Sequence, residues 1–252
     1  MFTKLQAPHN FTHVGSATYY IDDCTSTQDI LKNLLSENNP IGTAVIADRQ
    51  SQGRGRHGNT WVDTGQTQLF TSISLKPTFP TRQLPMINLL IALCAVEVLN
   101  TKCNIDRIHV KWPNDIYLNQ KKVGGILSEL IQIKKETTIV IGFGLNLSGS
   151  FKNTPLENKA TSFLEHKYHI ERFDFFWHWI EFINEILDQP NDAIILWMKK
   201  YFDKYHVFKN KMIQIQIDQE IIQGTPIGID NDGKLLLKTP DKIWNISHGE
   251  FL

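Results

Sequence analysis

The first third of the chain alternates between strand-like and helix-like spacing of its apolar residues. Short apolar runs at 19–21 and 43–48 predict strands. Between them, Ser26 or Thr27 is placed to cap a helix. The apolar residues of that helix share one face and are Ile30, Leu31, Leu34 and Leu35. Residues 69–76 alternate with a period of two, which predicts a half-buried strand.

The middle of the chain predicts a buried helix followed by further strands. Pro85 is placed to open this helix, and its apolar residues include Leu89, Leu90, Leu93 and Val96. Strands are predicted at 107–111, 126–133 and 138–143. Residues 173–203 return to helical spacing with two apolar stripes, which is typical of core packing. Together these patterns predict an α+β fold, with a mixed, largely antiparallel sheet and packed helices.

The pattern changes again after Tyr205. Short β-like runs at 212–217, 220–224 and 235–238 alternate with turn signals such as Asn231-Asp232-Gly233. They predict a small all-β barrel. We therefore expect two domains, a larger one at 1–206 and the barrel at 207–252.

The charge balance, the cysteines and the apolar stretches limit which partners, metal sites and cellular locations are expected. Lys+Arg and Asp+Glu both number 26, so the formal net charge is zero, which argues against broad binding to nucleic acid or to a membrane surface. Cys24, Cys94 and Cys103 form no zinc-ligand pattern, so we expect a reducing compartment and no metal site. The start lacks a secretory signal pattern and the apolar stretch 86–99 is too short to span a bilayer. A cytoplasmic location is expected.

The loop GRGRHG at 53–58 is the most unusual stretch. It fits G-x-G-x-x-G, yet neither a following helix nor an acidic residue about 20 positions on completes a dinucleotide site. Glycines let backbone amides approach a ligand, and Arg54 and Arg56 bring cations toward an anion such as phosphate. The alternative interpretation is a solvated basic turn, with Trp61 as a simple core anchor.

A second cluster combines KWPND at 111–115 with KVGGIL at 122–127. Pro113 starts a turn between two strands, with Lys111 and Asp115 at its mouth. Gly124 and Gly125 inside an apolar strand indicate close approach by another group, for which a ligand is a candidate. A lone Lys–Asp pair is more often a surface ion pair.

A third motif, GFGLN at 142–146, follows a predicted strand. Alone it is weak, because two glycines at the end of a strand commonly mean a bulge.

The order of the three motifs resembles that of the biotin protein ligases, whose pattern runs GRGRxGRxW, KWPND, KxGGIL and GxGxN. The resemblance covers roughly residues 17–252 and includes Ser26-Thr27-Gln28, where the family has Ser-Thr-Asn. It implies a catalytic domain like those of class II aminoacyl-tRNA synthetases and an SH3-like C-terminal barrel. The family's second arginine pair is here His57 and Asn59, so this loop carries less fixed positive charge. With no room for a DNA-binding module before residue 17, transcriptional repression is not expected.

The resemblance also implies the chemistry and the residues that perform it. Biotin and ATP form biotinyl-adenylate, and a lysine of a biotin carboxyl carrier protein then attacks it, with Mg²⁺ as the counterion of ATP. The implied biotin contacts are Ser26, Thr27, Gln28, Gln50, Gly53, Arg54, Gly55, Arg56, Lys122, Gly124 and Gly125. The implied nucleotide contacts are Arg54, Arg56, His57, Trp61, Lys111, Asn114 and Asn146. The implied catalytic residues are Arg56, Lys111, Asp115 and Lys122, with Asp115 orienting or deprotonating the incoming lysine.

Two other functions remain open from the sequence. A lipoate ligase or a lipoyl/octanoyl transferase shares the carrier-lysine chemistry, and a transferase would need a nucleophile such as Cys24. A non-catalytic protein that binds biotin or a carrier domain is the second alternative, although Arg56, Asp115 and Lys122 are all present.

Overall fold

A large sheet forms the centre of the molecule. The computed structural model describes residues 2–77, 79–80, 83 and 86–252, and for His57 the backbone alone. The strands of this sheet are β1 (Thr3–Leu5), β2 (Ala17–Cys24), β3 (Thr43–Gln50), β4 (Leu69–Leu75), β5 (Ile108–Lys111), β6 (Asp115–Leu118), β7 (Lys121–Ile133) and β8 (Glu136–Leu145). They lie in the order β1-β2-β3-β4-β8-β7-β6-β5. Among the described neighbouring strands of this sheet, β2 and β3 run parallel and the others antiparallel, so the predicted mixed, largely antiparallel sheet is confirmed.

Helices cover both faces of this sheet. They are α1 (Thr27–Ser36), α2 (Ile87–Thr101), α3 (Arg172–Leu187) and α4 (Asn191–Tyr205). On one face, Leu31 and Leu35 of α1 pack against Val45 and Val140. Alternate residues of the same strands face the other way, into the larger core beneath α2. α3 and α4 pack on α2 in turn, which explains why α2 is apolar around nearly its whole circumference.

Two local predictions from the sequence differ from the structure. All seven residues of β4 are buried rather than every second one, because α1 covers the face that was expected to meet solvent. The helical stretch at 173–203 is interrupted between Leu187 and Asn191, where Pro190 takes the N-cap position of α4. The aromatic stripe of α3 is core as predicted, with Phe175 and Trp179 buried. Pro85, expected to open α2, lies outside the described residues.

The C-terminal segment forms a second, antiparallel sheet. Its strands are β9 (Ile213–Ile217), β10 (Glu220–Ile229), β11 (Leu235–Lys238), β12 (Ile243–Ile246) and β13 (Glu250–Phe251), in the order β12-β11-β10-β9-β13. The all-β character is confirmed, while closure into a barrel and the division at residues 206 and 207 stay predictions.

The turn at 231–233 docks this second sheet on the rest of the molecule. Trp112 Nε1 donates a hydrogen bond of 3.0 Å to the carbonyl of Gly233. Gly233 has a φ of +76°, and a Cβ built there would lie 2.4 Å from the Cβ of Met86. A side chain at 233 would therefore push the turn off the surface on which it rests.

No helix in the described part of the chain is both long and apolar enough to cross a membrane.

Candidate active site

A cavity of about 230 Å³ lies where the sequence motifs converge. Its walls come from the start of α1, the loop after β3, the β5–β6 turn and the facing parts of β7 and β8. Among the predicted site residues it is lined by Ser26, Thr27, Gln28, Gln50, Arg54, Gly55, Arg56, Trp61, Asn114, Asp115, Lys122 and Gly125. The fold thus brings together side chains that are separated by nearly a hundred positions in the sequence.

The floor of the cavity is polar although it is buried. Thr27 donates from its backbone N and from Oγ1 to Gln50 Oε1, at 2.9 and 3.2 Å, and its hydroxyl also lies 2.8 Å from Ser72 Oγ. Ser26 occupies the N-cap position of α1, yet its hydroxyl makes no capping hydrogen bond. The alternative that Ser26 and Thr27 serve only to cap the helix therefore has no support from the geometry. Ser72 is a hydrogen-bond partner of Thr27 that the sequence did not single out.

Glycines on β8 make room for two side chains that project across the sheet. A Cβ at Gly142 would lie 2.9 Å from Cδ of Gln28, and a Cβ at Gly144 would lie 2.6 Å from the Trp61 ring. Gln28 donates from Nε2 to the Leu127 carbonyl at 3.2 Å. The GFGLN motif therefore provides a flat surface on which Gln28 and Trp61 rest, rather than a bulge.

The loop after β3 folds across the cavity as a short hairpin. Trp61 donates its backbone N–H to the Gly53 carbonyl at 2.9 Å, and Gly55 donates to the Asn59 carbonyl at 2.7 Å. Arg56 donates from Nη1 to Asn114 Oδ1 at 3.0 Å, and Asn114 donates from Nδ2 to the Ile126 carbonyl at 2.8 Å. Asn114 therefore fixes the direction of Arg56. The side chain of His57 lies outside the described residues.

Arg54 points to the outside of the same hairpin. Its two Nη atoms donate to the carboxylate of Asp29 at 2.7 and 2.8 Å. This contact holds the pKa of Asp29 below its usual value and raises that of Arg54. The predicted contact of Arg54 with a ligand stays a prediction.

An ion pair closes the inner end of the cavity. Lys122 Nζ lies 2.7 Å from Asp115 Oδ1, and both atoms are close to Gly125, where a Cβ would lie 3.1 Å from that oxygen and 3.2 Å from Nζ. Gly125 lines the cavity, whereas a Cβ at Gly124 would meet Leu145 on the other face of the sheet at 2.7 Å. The close approach inferred from the tandem glycine is thus made by protein atoms at both positions.

Lys111 lies apart from this ion pair, although its backbone is opposite Asp115 in the β5–β6 ladder. Its Nζ is 5.3 Å from the Tyr117 ring centroid, 5.0 Å from that of Phe251 and 5.9 Å from that of Phe208. Burial lowers the pKa of Lys111, and nearby Asp115 opposes that shift. The strands put Lys111 on a second cavity rather than in the first.

This second cavity has a volume of about 730 Å³ and shares Asn59, Thr60, Trp61 and Lys122 with the first. Its described lining combines aromatic rings with four lysines and includes no Asp or Glu side chain; the lysines are Lys111, Lys122, Lys159 and Lys211. Phe208, Lys211 and Phe251 come from the C-terminal segment, and no sequence motif indicated them. Asn146 also lines this cavity. Its Oδ1 accepts a hydrogen bond from Gln68 Nε2 at 2.8 Å, and its Nδ2 donates to the Thr161 carbonyl at 3.0 Å.

Trp61 and Lys122 separate the two cavities. Lys122 Nζ lies 5.6 Å from the centroid of the Trp61 ring, and Trp61 Nε1 is a buried donor without a protein partner in the described structure. A molecule that fills both cavities would meet an ammonium group and an indole N–H at their junction. Within the described residues, no group of three or more His, Cys, Asp or Glu side chains is placed to hold a metal ion.

Comparison with known proteins gives a consistent result. Residues 20–146 match the biotin/lipoate A/B protein ligase family, and residues 209–252 match the biotin protein ligase C-terminal domain. A bifunctional ligase/repressor BirA from Bacillus spizizenii is 29% identical over 237 residues, which span 92% of this chain and 73% of that protein. The structure of a biotin protein ligase from Aquifex aeolicus in complex with biotin and ATP superposes with a TM-score of 0.78 at 28% identity, covering 93% of this chain and 97% of that one.

Proposed function

The chain belongs to the biotin/lipoate A/B protein ligase family, and from that premise we propose that it uses ATP to join biotin to a lysine of a biotin carboxyl carrier protein. ATP-dependent biotin ligation is the activity of its relatives. The observation that carries the proposal is the junction of the two cavities, where a small polar chamber lies beside a cationic and aromatic one.

The smaller cavity suits biotin. A ureido ring is neutral and has both hydrogen-bond donors and acceptors, so it fits the hydroxyls and amides of Ser26, Thr27, Gln28 and Gln50. The carboxylate of biotin would then lie toward Arg56 and Lys122, which are cations at the other end of the chamber.

The larger cavity suits ATP. Tyr117, Phe208 and Phe251 offer aromatic faces for an adenine base, and the lysines offer charge for the phosphates. We further propose that Mg²⁺ arrives on the phosphate oxygens of ATP, since this ion binds through few protein ligands and substrate phosphates.

The reaction follows from this placement in two steps. A carboxylate oxygen of biotin attacks the α-phosphorus of ATP, and the bond to the β-phosphate oxygen breaks to release pyrophosphate. The amine of the carrier lysine then attacks the acyl carbon, AMP leaves, and a proton is lost from the nitrogen. Lys122 and Arg56 stabilise the negative charge of the first step. Asp115, 2.7 Å from Lys122, is placed to orient the amine or accept its proton in the second.

The transferase alternative requires a nucleophile, and Cys24 is poorly suited to that role. Burial, with Asp23 and Asp29 nearby, raises the pKa of its thiol to about 11. Little thiolate is present at neutral pH, and the thiolate is the reactive form. Cys24 also lies outside the residues that line either cavity.

The test is pyrophosphate release from ATP and Mg²⁺ in the presence of biotin or of lipoate, followed by mass analysis of an added carrier domain. We expect release and carrier modification with biotin alone. Release with lipoate alone would make the chain a lipoate ligase, and release with neither would overturn the ligase proposal and leave the transferase and the non-catalytic binding protein.

A further inference from the structure

Four charged side chains form a network on the outer side of the loop at 51–61, and none of them belongs to the reacting groups described above. Arg54 donates two hydrogen bonds to Asp29, at 2.7 and 2.8 Å, and its Nη2 lies 3.6 Å from Glu129 Oε1. Lys32 Nζ lies 3.7 Å from Asp29 Oδ1 and also bonds Glu129. Positive and negative groups therefore alternate, and the network joins the loop to α1 and to β7.

The loop has few other anchors beyond its own hairpin bonds. Ser51 and Gln52 bond the carbonyls of Cys24 and Thr25 through their backbone N–H groups, which fixes the base of the loop. Toward the tip, Gly58, Asn59 and Thr60 are exposed. The position of the tip is therefore set from two sides: Arg56 is held by Asn114 inside the cavity, and Arg54 is held by Asp29 outside it.

The loop is also thin. A hollow of about 720 Å³ lies on its outer side and is lined by Arg54, Arg56, Leu127 and Glu129 among others. The smaller cavity lies on its inner side and shares several of the same loop residues. With open space on both faces, the loop has few apolar contacts apart from those of Trp61 against β8, so its charged contacts contribute strongly to where its tip sits.

We propose that Arg54 is a positioning residue, which clasps the loop to α1 and β7 and so holds Arg56 over the reacting carboxylate and phosphate. The proposal rests on the proposed function, and it differs from a direct contact between Arg54 and the ligand. Both Nη groups of Arg54 are already engaged with Asp29, which is the best geometry a guanidinium finds with a carboxylate. The clasp is reversible, because its members are partly exposed and salt screens such pairs.

The clasp should control the rate at which biotinyl-adenylate is released, because it holds the loop over the cavity. We expect Arg54→Met and Asp29→Asn each to accelerate release by about 5-fold, a modest factor typical of one partly exposed charge-assisted contact. The double variant should be no faster than either single one, because both remove the same contact. Raising salt from about 0.05 to about 0.5 M should accelerate release by the wild type and have little effect on the variants.

A direct ligand contact by Arg54 gives a different result. Asp29→Asn would then leave release unchanged, or its effect would multiply with that of Arg54→Met, and either outcome overturns the clasp. Asp203→Asn is the matched control, because Asp203 forms an exposed pair with Lys209 at 2.9 Å and neither residue lines either cavity. Its release rate and salt dependence should equal those of the wild type.

Hydrogen exchange separates failure of the clasp from failure of the proposed function, because it needs no activity. Without any ligand, Asp29→Asn should raise the exchange rate of residues 51–60 while the exchange of α2 stays unchanged. Unaltered exchange in the loop would overturn the clasp even if the protein ligates biotin. Faster exchange in the loop of a protein that fails to release pyrophosphate would support the clasp and overturn the proposed function.

Discussion

Arg56 and Lys122 both line the smaller cavity, Arg56 from the loop and Lys122 from β7. Arg56 is directed inward by Asn114, and Lys122 is paired with Asp115. Both cations are therefore oriented before a ligand arrives, which reduces the reorganisation that the reaction requires.

Arg56→Ala and Lys122→Ala should each weaken binding of biotinyl-adenylate. A hydrogen bond to a charged group contributes about 1.5–3 kcal/mol, so we expect losses of roughly 10- to 150-fold in affinity by calorimetry. Lys199→Ala is a suitable control, since Lys199 bonds Asn231 on the surface. Unchanged affinity in either variant would remove that residue from the site.

Asp115→Asn should slow transfer to the carrier more than it slows formation of the adenylate. The carboxylate lies beside the Lys122 ammonium, so its loss leaves the cation of the first step in place while removing the acceptor of the second. Single-turnover measurements of each half-reaction separate the two effects. An equal loss in both steps would instead make Asp115 a group that only positions Lys122.

Individual side chains were the least predictable level from sequence. The residue types of the KWPND motif are evident, yet the sequence did not indicate that Asp115 pairs with Lys122, which β7 brings back across the ladder. Lys111 instead meets Phe208 and Phe251, which belong to the C-terminal segment. Partners of this kind depend on strand register, which no local pattern contains.

Among the elements, the loop at 51–60 is the one whose state should depend on ligand. Its arginine side chains can donate hydrogen bonds to a carboxylate and a phosphate, and few of its residues are apolar. We expect slower hydrogen exchange at 51–60 when biotinyl-adenylate is bound, because a water-sensitive mixed anhydride must be covered until the carrier arrives. Equal exchange with and without the adenylate would mean that the loop is already ordered in the free protein.

Periodicity predicted most elements, and it failed where burial came from a distant segment. β4 was expected to be half-buried, yet Ser72 and Ser74 are as deeply buried as Ile73. Their hydroxyls have partners in Thr27 and Gly42, on segments that local alternation does not describe. The sequence implied a strand after the turn at Pro113 but gave it no bounds; this strand is β6, whose four residues are too few for alternation to define its ends.

At the scale of the whole molecule, acid should loosen the region where α4 leads into the C-terminal sheet. Burial lowers the pKa of His206 to about 4, and its ring is stacked on Phe202. An unfolded histidine titrates near about 6.5, so between these values the unfolded chain takes up a proton that the folded chain does not. The contribution of His206 to the free energy of unfolding is therefore fully present above about pH 6.5, and as the pH falls toward 4 the free energy of unfolding decreases by up to about 3 kcal/mol.

Urea unfolding at about pH 7 and about pH 4.5 measures this loss. His206→Phe should reduce the difference between the two pH values without abolishing it, because burial also lowers the pKa of His109. His178→Gln is the control, since His178 is exposed. A pH dependence identical in wild type and His206→Phe would contradict the assignment.

The larger cavity has walls from both parts of the chain, with Lys111 and Tyr117 on one side and Phe208, Lys211 and Phe251 on the other. A nucleotide bound in this cavity would contact both parts of the chain, which also meet at the Trp112–Gly233 hydrogen bond. By thermodynamic linkage, the binding free energy that the nucleotide obtains from contacts with the C-terminal segment also stabilises the attachment of that segment to the rest of the chain. We therefore expect a bound nucleotide to stabilise the attachment of the C-terminal sheet to the rest of the chain, which calorimetry would record as a higher melting temperature and a more cooperative transition.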